Sequence, residues 1–163
     1  MRTLIFLLAF AQLTMLLSAC RSDLSETNRK TAMHWLDAMN HHDTAALGLL
    51  YADSARLESP NWDGVKTGNR ELKTIFSRYF SSTPDLQQEM THLITTDSAI
   101  VLEYRSWGRL LNPENNTPAF MRGKAYTLYN CTRMTLVDGK IQAQKTYFDQ
   151  VSFLRQMGFF EER

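Results

Sequence analysis

This chain of 163 residues contains little cysteine, no clear excess of either charge and no glycine-rich phosphate loop. It has two cysteines, and its 18 Lys and Arg residues face 17 Asp and Glu residues. The missing basic surplus argues against a nucleic-acid partner, and the missing acidic surplus argues against a disordered acidic chain. Without a phosphate loop, the sequence also predicts no nucleotide cofactor.

The histidines do not form the spacing of a metal site. His41 and His42 are adjacent, while His34 and His92 lie away from them along the chain. Neighbouring residues on a helix point about 100° apart, so the adjacent pair does not converge on one ion. We therefore predict no metal and no cofactor, and we expect the pair at a solvated helix end.

The longest apolar run covers residues 4–17 and ends at Ser18. A spanning helix needs about 20 apolar residues, so this run is too short to cross a membrane. Arg2 before it and small residues after it are typical of a secretory signal peptide. The closing tetrapeptide LSAC at 17–20 resembles a bacterial lipoprotein box. That resemblance implies cleavage before Cys20 and acylation of Cys20, with palmitate as one of the expected lipids.

Three segments follow from this reading: a lipoprotein signal peptide at 1–19, an acylated tether at 20–26 and one folded domain at 27–160. The protein would be exported and lipid-anchored in the cell envelope, at the outer membrane facing the periplasm in a Gram-negative cell. Cys131 would then be the remaining cysteine, and we expect it to be a buried, inert thiol. The alternative is an ordinary signal peptide followed by a chance cysteine.

Helical patterns occupy the first half of the domain. Ser25 is a candidate cap for a helix that runs to about His42, with apolar residues at three- and four-residue intervals. Asp43 is the predicted cap of a second, shorter helix. A third helix is predicted to begin at Asn69, and Pro84 ends that region.

Strand patterns occupy the second half. Candidate strands cover residues 86–95, 98–108, 121–137 and 140–149, and a last helix covers about 150–157. Asp138-Gly139 is a strong hairpin signal, because both central positions of the favoured turn need positive φ. Helices followed by a meander predict an α+β fold, in which a curved antiparallel sheet wraps around the N-terminal helices into a cone.

Four short phrases carry a family resemblance over about residues 27–160: DGVKTG at 63–68, RGK at 122–124, VDGKI at 137–141 and YFDQVSFLRQMG at 147–158. They resemble the SnoaL-like (polyketide cyclase-like) branch of the nuclear transport factor 2-like superfamily, a cystatin-like cone fold. The resemblance implies this fold strongly and function weakly, because the scaffold serves many activities. Its members include cyclases, isomerases, dehydratases, epoxide hydrolases and proteins without chemistry.

Asp149 is the candidate catalytic residue, because SnoaL-like cyclases place an acid/base aspartate at this point. A carboxylate that faces an apolar cavity has a raised pKa and can exchange protons near neutral pH. Tyr147 is the second candidate catalytic residue, because alternation along the last strand puts it on the same predicted face as Asp149, with Ile141, Ala143 and Lys145. The competing interpretation is that Asp149 caps the last helix.

Five aromatic residues are candidates for the lining of a ligand pocket: Trp35, Tyr51, Trp62, Tyr79 and Tyr104. Aromatic residues at helical spacing are more often part of the core than of a ligand site. Trp62 differs because it lies in a loop, where it could cover a cavity mouth or anchor an interface. Ile100, Leu102 and Tyr104 share the more apolar face of their strand.

Three functions remain open from the sequence. The first is a membrane-tethered domain that binds a small apolar ligand or an envelope partner without catalysis. The second is a cofactor-free isomerase, cyclase or dehydratase that uses Asp149 as general acid/base. The third, compatible with either, is an assembly module whose open sheet face pairs with itself, as in a homodimer, or with another envelope protein.

Overall fold

The computed structural model describes residues 24–115 and 117–161, so the predicted signal peptide and Cys20 lie outside the described residues. Helix α1 covers 24–40. The other helices are α2 (Thr44–Leu50), α3 (Asn69–Ser82) and α4 (Gln150–Gln156). The strands are β1 (Tyr51–Glu58), β2 (Lys66–Thr67), β3 (Gln87–Thr95), β4 (Ala99–Arg109), β5 (Ala125–Val137) and β6 (Lys140–Phe148). A 3₁₀ turn covers Ala119–Met121.

The six strands form one sheet in the order β2-β1-β6-β5-β4-β3. All neighbouring strands are antiparallel except β1 and β6, which are parallel. The sheet curves around α1 and α3, and the predicted α+β cone fold is confirmed. The β5–β6 hairpin is also confirmed, since Asp138 and Gly139 have φ values of 51° and 72°.

The helix boundaries agree with three of the four predicted starts, including the last helix, which begins at Gln150. Asp43 caps α2, because its carboxylate accepts a hydrogen bond of 2.8 Å from the Ala46 amide. Helix α3 begins at Asn69 as predicted. The prediction that Ser25 caps α1 is wrong, because residue 24 is already helical. The Ser25 hydroxyl instead donates to the Thr95 carbonyl at 3.2 Å and ties α1 to the end of β3.

Two apolar clusters fill the interior. The larger cluster joins α1 and α3 to the inner face of the sheet and includes Trp35, Phe76 and Leu102. The smaller cluster packs α4 and the 3₁₀ turn against the start of β5 and includes Met121 and Met157. Among the residues that alternate along β4, the predicted core set Ile100, Leu102 and Tyr104 is confirmed as buried.

A bulge in β6 reverses the predicted alternation of its side chains. Thr135 of β5 pairs with Ala143, but the next residue pairs with Ile141, so Gln142 is an extra residue. Such a bulge shifts all following side chains to the opposite face. The prediction that Ile141, Ala143, Lys145 and Tyr147 share one face is therefore wrong. Ile141 is buried with the inward residues, while Tyr147 is 50% exposed on the outer face.

Candidate functional site

A cavity of about 540 Å³ lies between the two apolar clusters. Its floor is the inner face of β4, β5 and β6, and its walls are α1 and α3. The loop after β1 and the smaller cluster close its sides. Residues from every one of these elements contribute to the lining, among them Trp35, Trp62, Tyr79, Tyr104, Leu128 and Gln144.

Hydrogen bonds connect the α1 wall to the floor. The Trp35 indole donates to the Tyr51 hydroxyl at 2.8 Å, and that hydroxyl donates to Gln144 Oε1. The Gln144 amide donates in turn to Thr146 Oγ1 at 3.2 Å. Each of these hydrogen bonds is buried or half-buried, so together they fix the rotamers of the side chains that they connect.

The same network continues along the floor to β4. Thr146 and Thr132 place their hydroxyl oxygens 2.8 Å apart, and Thr132 Oγ1 lies 3.4 Å from the Tyr104 hydroxyl. Beside them, the Asn130 amide donates to Ser106 Oγ at 2.9 Å. The floor is thus polar and uncharged, although it lies between two apolar clusters.

The interior tyrosines are neutral throughout the physiological pH range. Burial raises the pKa of Tyr104 to about 12. Burial also raises the pKa of Tyr51, of Tyr79 and of Tyr126. A hydroxyl in this state donates and accepts hydrogen bonds but does not act as a base near pH 7.

The charged residues of the lining lie at its rim and form ion pairs. Glu58 lies 3.0 Å from Lys145, with both side chains about 40% exposed. Arg78 donates to both carboxylate oxygens of Glu114, from Nε to Oε1 at 2.8 Å and from Nη2 to Oε2. Among the described lining residues, no carboxylate lies in the desolvated interior, where its pKa would be raised.

Asp149 caps α4. Its carboxylate accepts a hydrogen bond of 3.0 Å from the Ser152 amide, and its side chain is exposed at the end of β6. Asp149 and Tyr147 are not among the cavity-lining residues. The Tyr147 ring lies on the outer face, where the Lys145 ammonium is 5.5 Å from its centroid. The acid/base role predicted for Asp149 therefore lacks the apolar environment on which the prediction depended.

We expect Asp149→Ala to lower the free energy of unfolding by about 1 kcal/mol, because the cap hydrogen bond to α4 is lost. Asp149→Ser retains a capping oxygen and should recover most of that loss. Urea denaturation of the three proteins measures both values. A loss below about 0.3 kcal/mol in the Ala variant would show that the cap contributes little.

The predicted pocket aromatics fall into two groups. Trp35, Trp62, Tyr79 and Tyr104 line the cavity. Tyr51 is buried behind the lining, where it supports Gln144 through the hydrogen bond described above.

Trp62 reaches the interior from a loop. Its ring is half-buried and packs against the larger cluster, while its neighbours Asn61 and Asp63 are exposed. The loop reverses at Gly64, whose φ of 72° favours glycine. The prediction left Trp62 as a lid or an interface anchor, and its place in the lining fits the lid.

Sequence reasoning missed several polar residues of the lining. Gln88, Gln144 and Thr146 were not predicted as site residues, although all three line the cavity. The β6 bulge concealed two of them, because uninterrupted alternation assigns Gln144 and Thr146 to the outer face. Asn130 could have been predicted, since it lies an even number of residues from Leu128 and Met134 and so shares the inner face of β5 with them.

Comparison with known proteins gives a family and a fold. The sequence pattern of the family described as "SnoaL-like domain" matches residues 32–144. A search of the curated proteins found no match.

Solved structures superpose over most of the chain at low sequence identity. A candidate SnoaL-like polyketide cyclase from Jannaschia sp. CCS1 has a TM-score of 0.75 at 16% identity, over 84% of this chain and 95% of that one. An LEH-like epoxide hydrolase from M. tuberculosis has a TM-score of 0.64 at 14% identity, over 84% and 90% of the two chains. TsrD from Streptomyces laurentii has a TM-score of 0.70 at 21% identity, over 82% and 96%. These similarities establish the fold alone.

None of the helices in 24–115 and 117–161 is long and apolar enough to cross a membrane. Within the same ranges, no group of three or more His, Cys, Asp or Glu side chains could hold a metal ion.

Proposed function

The chain belongs to the SnoaL-like domain family, and we propose that its cavity binds a small, uncharged and mostly apolar molecule. The observation that carries this proposal is the cavity itself, which lies between two apolar clusters and has a polar but uncharged floor. Its volume falls within the roughly 300–1,000 Å³ range of small-molecule sites. Aromatic walls with a few oriented polar groups are also typical of such sites.

The charge distribution supports an uncharged ligand. The interior tyrosines remain neutral, and the charged groups of the lining are already paired at the rim. A buried charge on the ligand would lose its hydration without gaining a partner, which is strongly unfavourable. Binding is preferred over acid/base catalysis because Asp149 caps α4 and lies outside the lining.

Titration with N-phenyl-1-naphthylamine, an uncharged fluorescent probe, tests this proposal. We expect saturable binding at one site, with an affinity that does not change between about pH 6 and pH 9 because the tyrosines stay neutral. Naphthalene should displace the probe, and 2-naphthoate should not at equal concentration. Failure of the probe to saturate, or equal competition by the anion, would contradict the proposal.

We further propose that the domain is exported and anchored to a membrane by lipid on Cys20. Alkyne-palmitate should label the wild-type protein in bacterial cells, and Cys20→Ser should abolish labelling and release the protein from the membrane fraction. The Cys131→Ser variant is the matched control and should be labelled like the wild type. Labelling that survives Cys20→Ser would contradict the anchor.

The anchor would also orient the cavity. Cys20 precedes residue 24 by four residues, a chain that reaches at most about 14 Å. The start of α1 is held at the β3–β4 turn, where Asn28 donates to the Thr96 carbonyl at 2.8 Å. The rim residue Glu114 follows the opposite end of β4. This arrangement supports a cavity that opens away from the bilayer and exchanges its ligand with the aqueous side.

The outer face of the sheet supports the proposal of a homodimer. Tyr129 is 72% exposed and Tyr147 is 50% exposed on neighbouring strands of this face. Exposed large aromatic side chains that cluster on one face are typical of interaction sites. Light scattering should give twice the monomer mass, and a monomer at concentrations of about 100 μM would contradict the proposal.

A further inference from the structure

Two polar groups of the cavity lining have no hydrogen-bond partner in the described part of the chain. They are Gln88 Oε1 and Trp62 Nε1, both buried. A third such atom, Asn69 Oδ1, lies at the start of α3 outside the lining. Folded proteins leave few buried polar atoms unpaired, because each costs about as much as a lost hydrogen bond. Two in one cavity therefore need an explanation.

The backbone of Gln88 is fixed, but its side-chain oxygen is not. Asn40 at the end of α1 donates to the Gln88 carbonyl at 2.9 Å and accepts from the Gln88 amide at 2.7 Å. This reciprocal pair holds β3 against α1 and keeps the Gln88 side chain on the inner face, where it is 5% exposed. Because Gln88 Oε1 has no partner, the side-chain amide can rotate about χ3 without breaking a hydrogen bond at that oxygen.

Trp62 carries a donor on the loop after β1, and β1 and β3 lie toward opposite edges of the sheet. Its loop is closed by a 3.3 Å hydrogen bond from the Trp62 amide to the Ser59 carbonyl, and its ring packs on the larger cluster. The indole nitrogen can only donate a hydrogen bond, so its partner must be an acceptor. The carboxamide oxygen of Gln88 can only accept, so its partner must be a donor.

We propose that these two groups are ligand contacts, and that the ligand is an uncharged molecule with two polar groups of opposite kind. One is a hydroxyl or N–H that donates to Gln88 Oε1, and the other is an oxygen or nitrogen that accepts from Trp62 Nε1. This inference rests on the proposed binding function and narrows its ligand class. A purely apolar ligand would fill the same space but leave both protein groups unpaired, which lowers its affinity.

Calorimetric titration with three matched naphthalenes tests the pairing. The compound 6-methoxy-2-naphthol offers both groups, 2,6-dimethoxynaphthalene lacks the donor and 6-ethyl-2-naphthol lacks the second acceptor. We expect the first compound to bind about tenfold more tightly than either of the others. Gln88→Met should remove its advantage over the dimethoxy compound, and Trp62→Phe should remove its advantage over the ethyl compound.

The controls separate this inference from the proposed function. Gln87→Met changes the exposed neighbour of Gln88 and should leave all three affinities unchanged. If none of the compounds binds the wild-type protein, the binding function itself is contradicted. If all bind equally, or if Gln88→Met weakens the donor and non-donor compounds alike, the pairing is overturned and the binding function stands. If Gln88→Met does not fold, the wild-type protein still tests the pairing. Equal affinities for 6-methoxy-2-naphthol and 2,6-dimethoxynaphthalene would overturn it, and a difference of about tenfold would support it.

Discussion

Leu128→Trp is expected to abolish binding of N-phenyl-1-naphthylamine while the protein remains folded. Leu128 lies on the inner face of β5, is 7% exposed and lines the cavity beside the smaller cluster. An indole at this position extends into the space between the two clusters and occupies the volume that the probe needs. Insertion of a larger side chain into a filled core costs about 1–3 kcal/mol, and the open space here should keep the loss near the lower value.

The neighbouring residue on β5 gives a matched control for that prediction. Tyr129→Trp adds an indole to the outer face, where the side chain is 72% exposed. Its affinity for the probe should equal that of the wild type. Urea denaturation reports whether both variants are folded. Undiminished binding in a folded Leu128→Trp protein would show that the probe binds elsewhere.

Trp35→Ala is expected to lower the free energy of unfolding by about 3–5 kcal/mol, the usual cost of removing a large buried aromatic side chain. Trp35 is 1% exposed on α1 and contacts the Tyr104 ring edge-on, with 5.7 Å between the ring centroids. Its indole also donates to the Tyr51 hydroxyl at 2.8 Å. The substitution therefore removes packing and the first link of the hydrogen-bond chain together. Urea denaturation measures the loss.

A second variant separates packing from hydrogen bonding at the same position. Trp35→Phe keeps an aromatic ring but loses the donor, and we expect a loss of about 1–2 kcal/mol. His34→Ala is the control, because its side chain is exposed on the same helix and should change stability by less than about 0.5 kcal/mol. A loss below about 2 kcal/mol in Trp35→Ala would mean that α1 is not a main support of the core.

The parts of the fold that depend on local chemistry could be predicted from the sequence. The Asp43 cap, the start of α3 at Asn69 and the Asp138-Gly139 turn each depend on a residue and its immediate neighbours. Ser25 shows the limit of such signals, because a capping residue type can equally serve a tertiary contact. Its hydroxyl contacts Thr95, which is 70 residues away in the chain.

The candidate site could be predicted only in part, because it depends on strand register. The aromatic walls were found from their residue types. The polar floor was missed because the extra residue Gln142 turns Gln144 and Thr146 inward, and nothing in the local sequence marks that bulge. Asp149, in contrast, was predicted as a site residue but lies outside the cavity lining. Family resemblance nominated it as a catalyst, while its place directly before α4 indicated the cap that the structure shows.

The most direct test of the cavity as a ligand site uses methionines as probes. Met39 and Met121 line the cavity on α1 and at the 3₁₀ turn, while Met33 is 41% exposed on another face of α1. In methyl NMR spectra of ¹³C-methionine protein, saturating 6-methoxy-2-naphthol should shift the Met39 and Met121 signals together and leave Met33 in place. A shift confined to Met33, or unchanged Met39 and Met121 signals while the compound is demonstrably bound, would contradict the account.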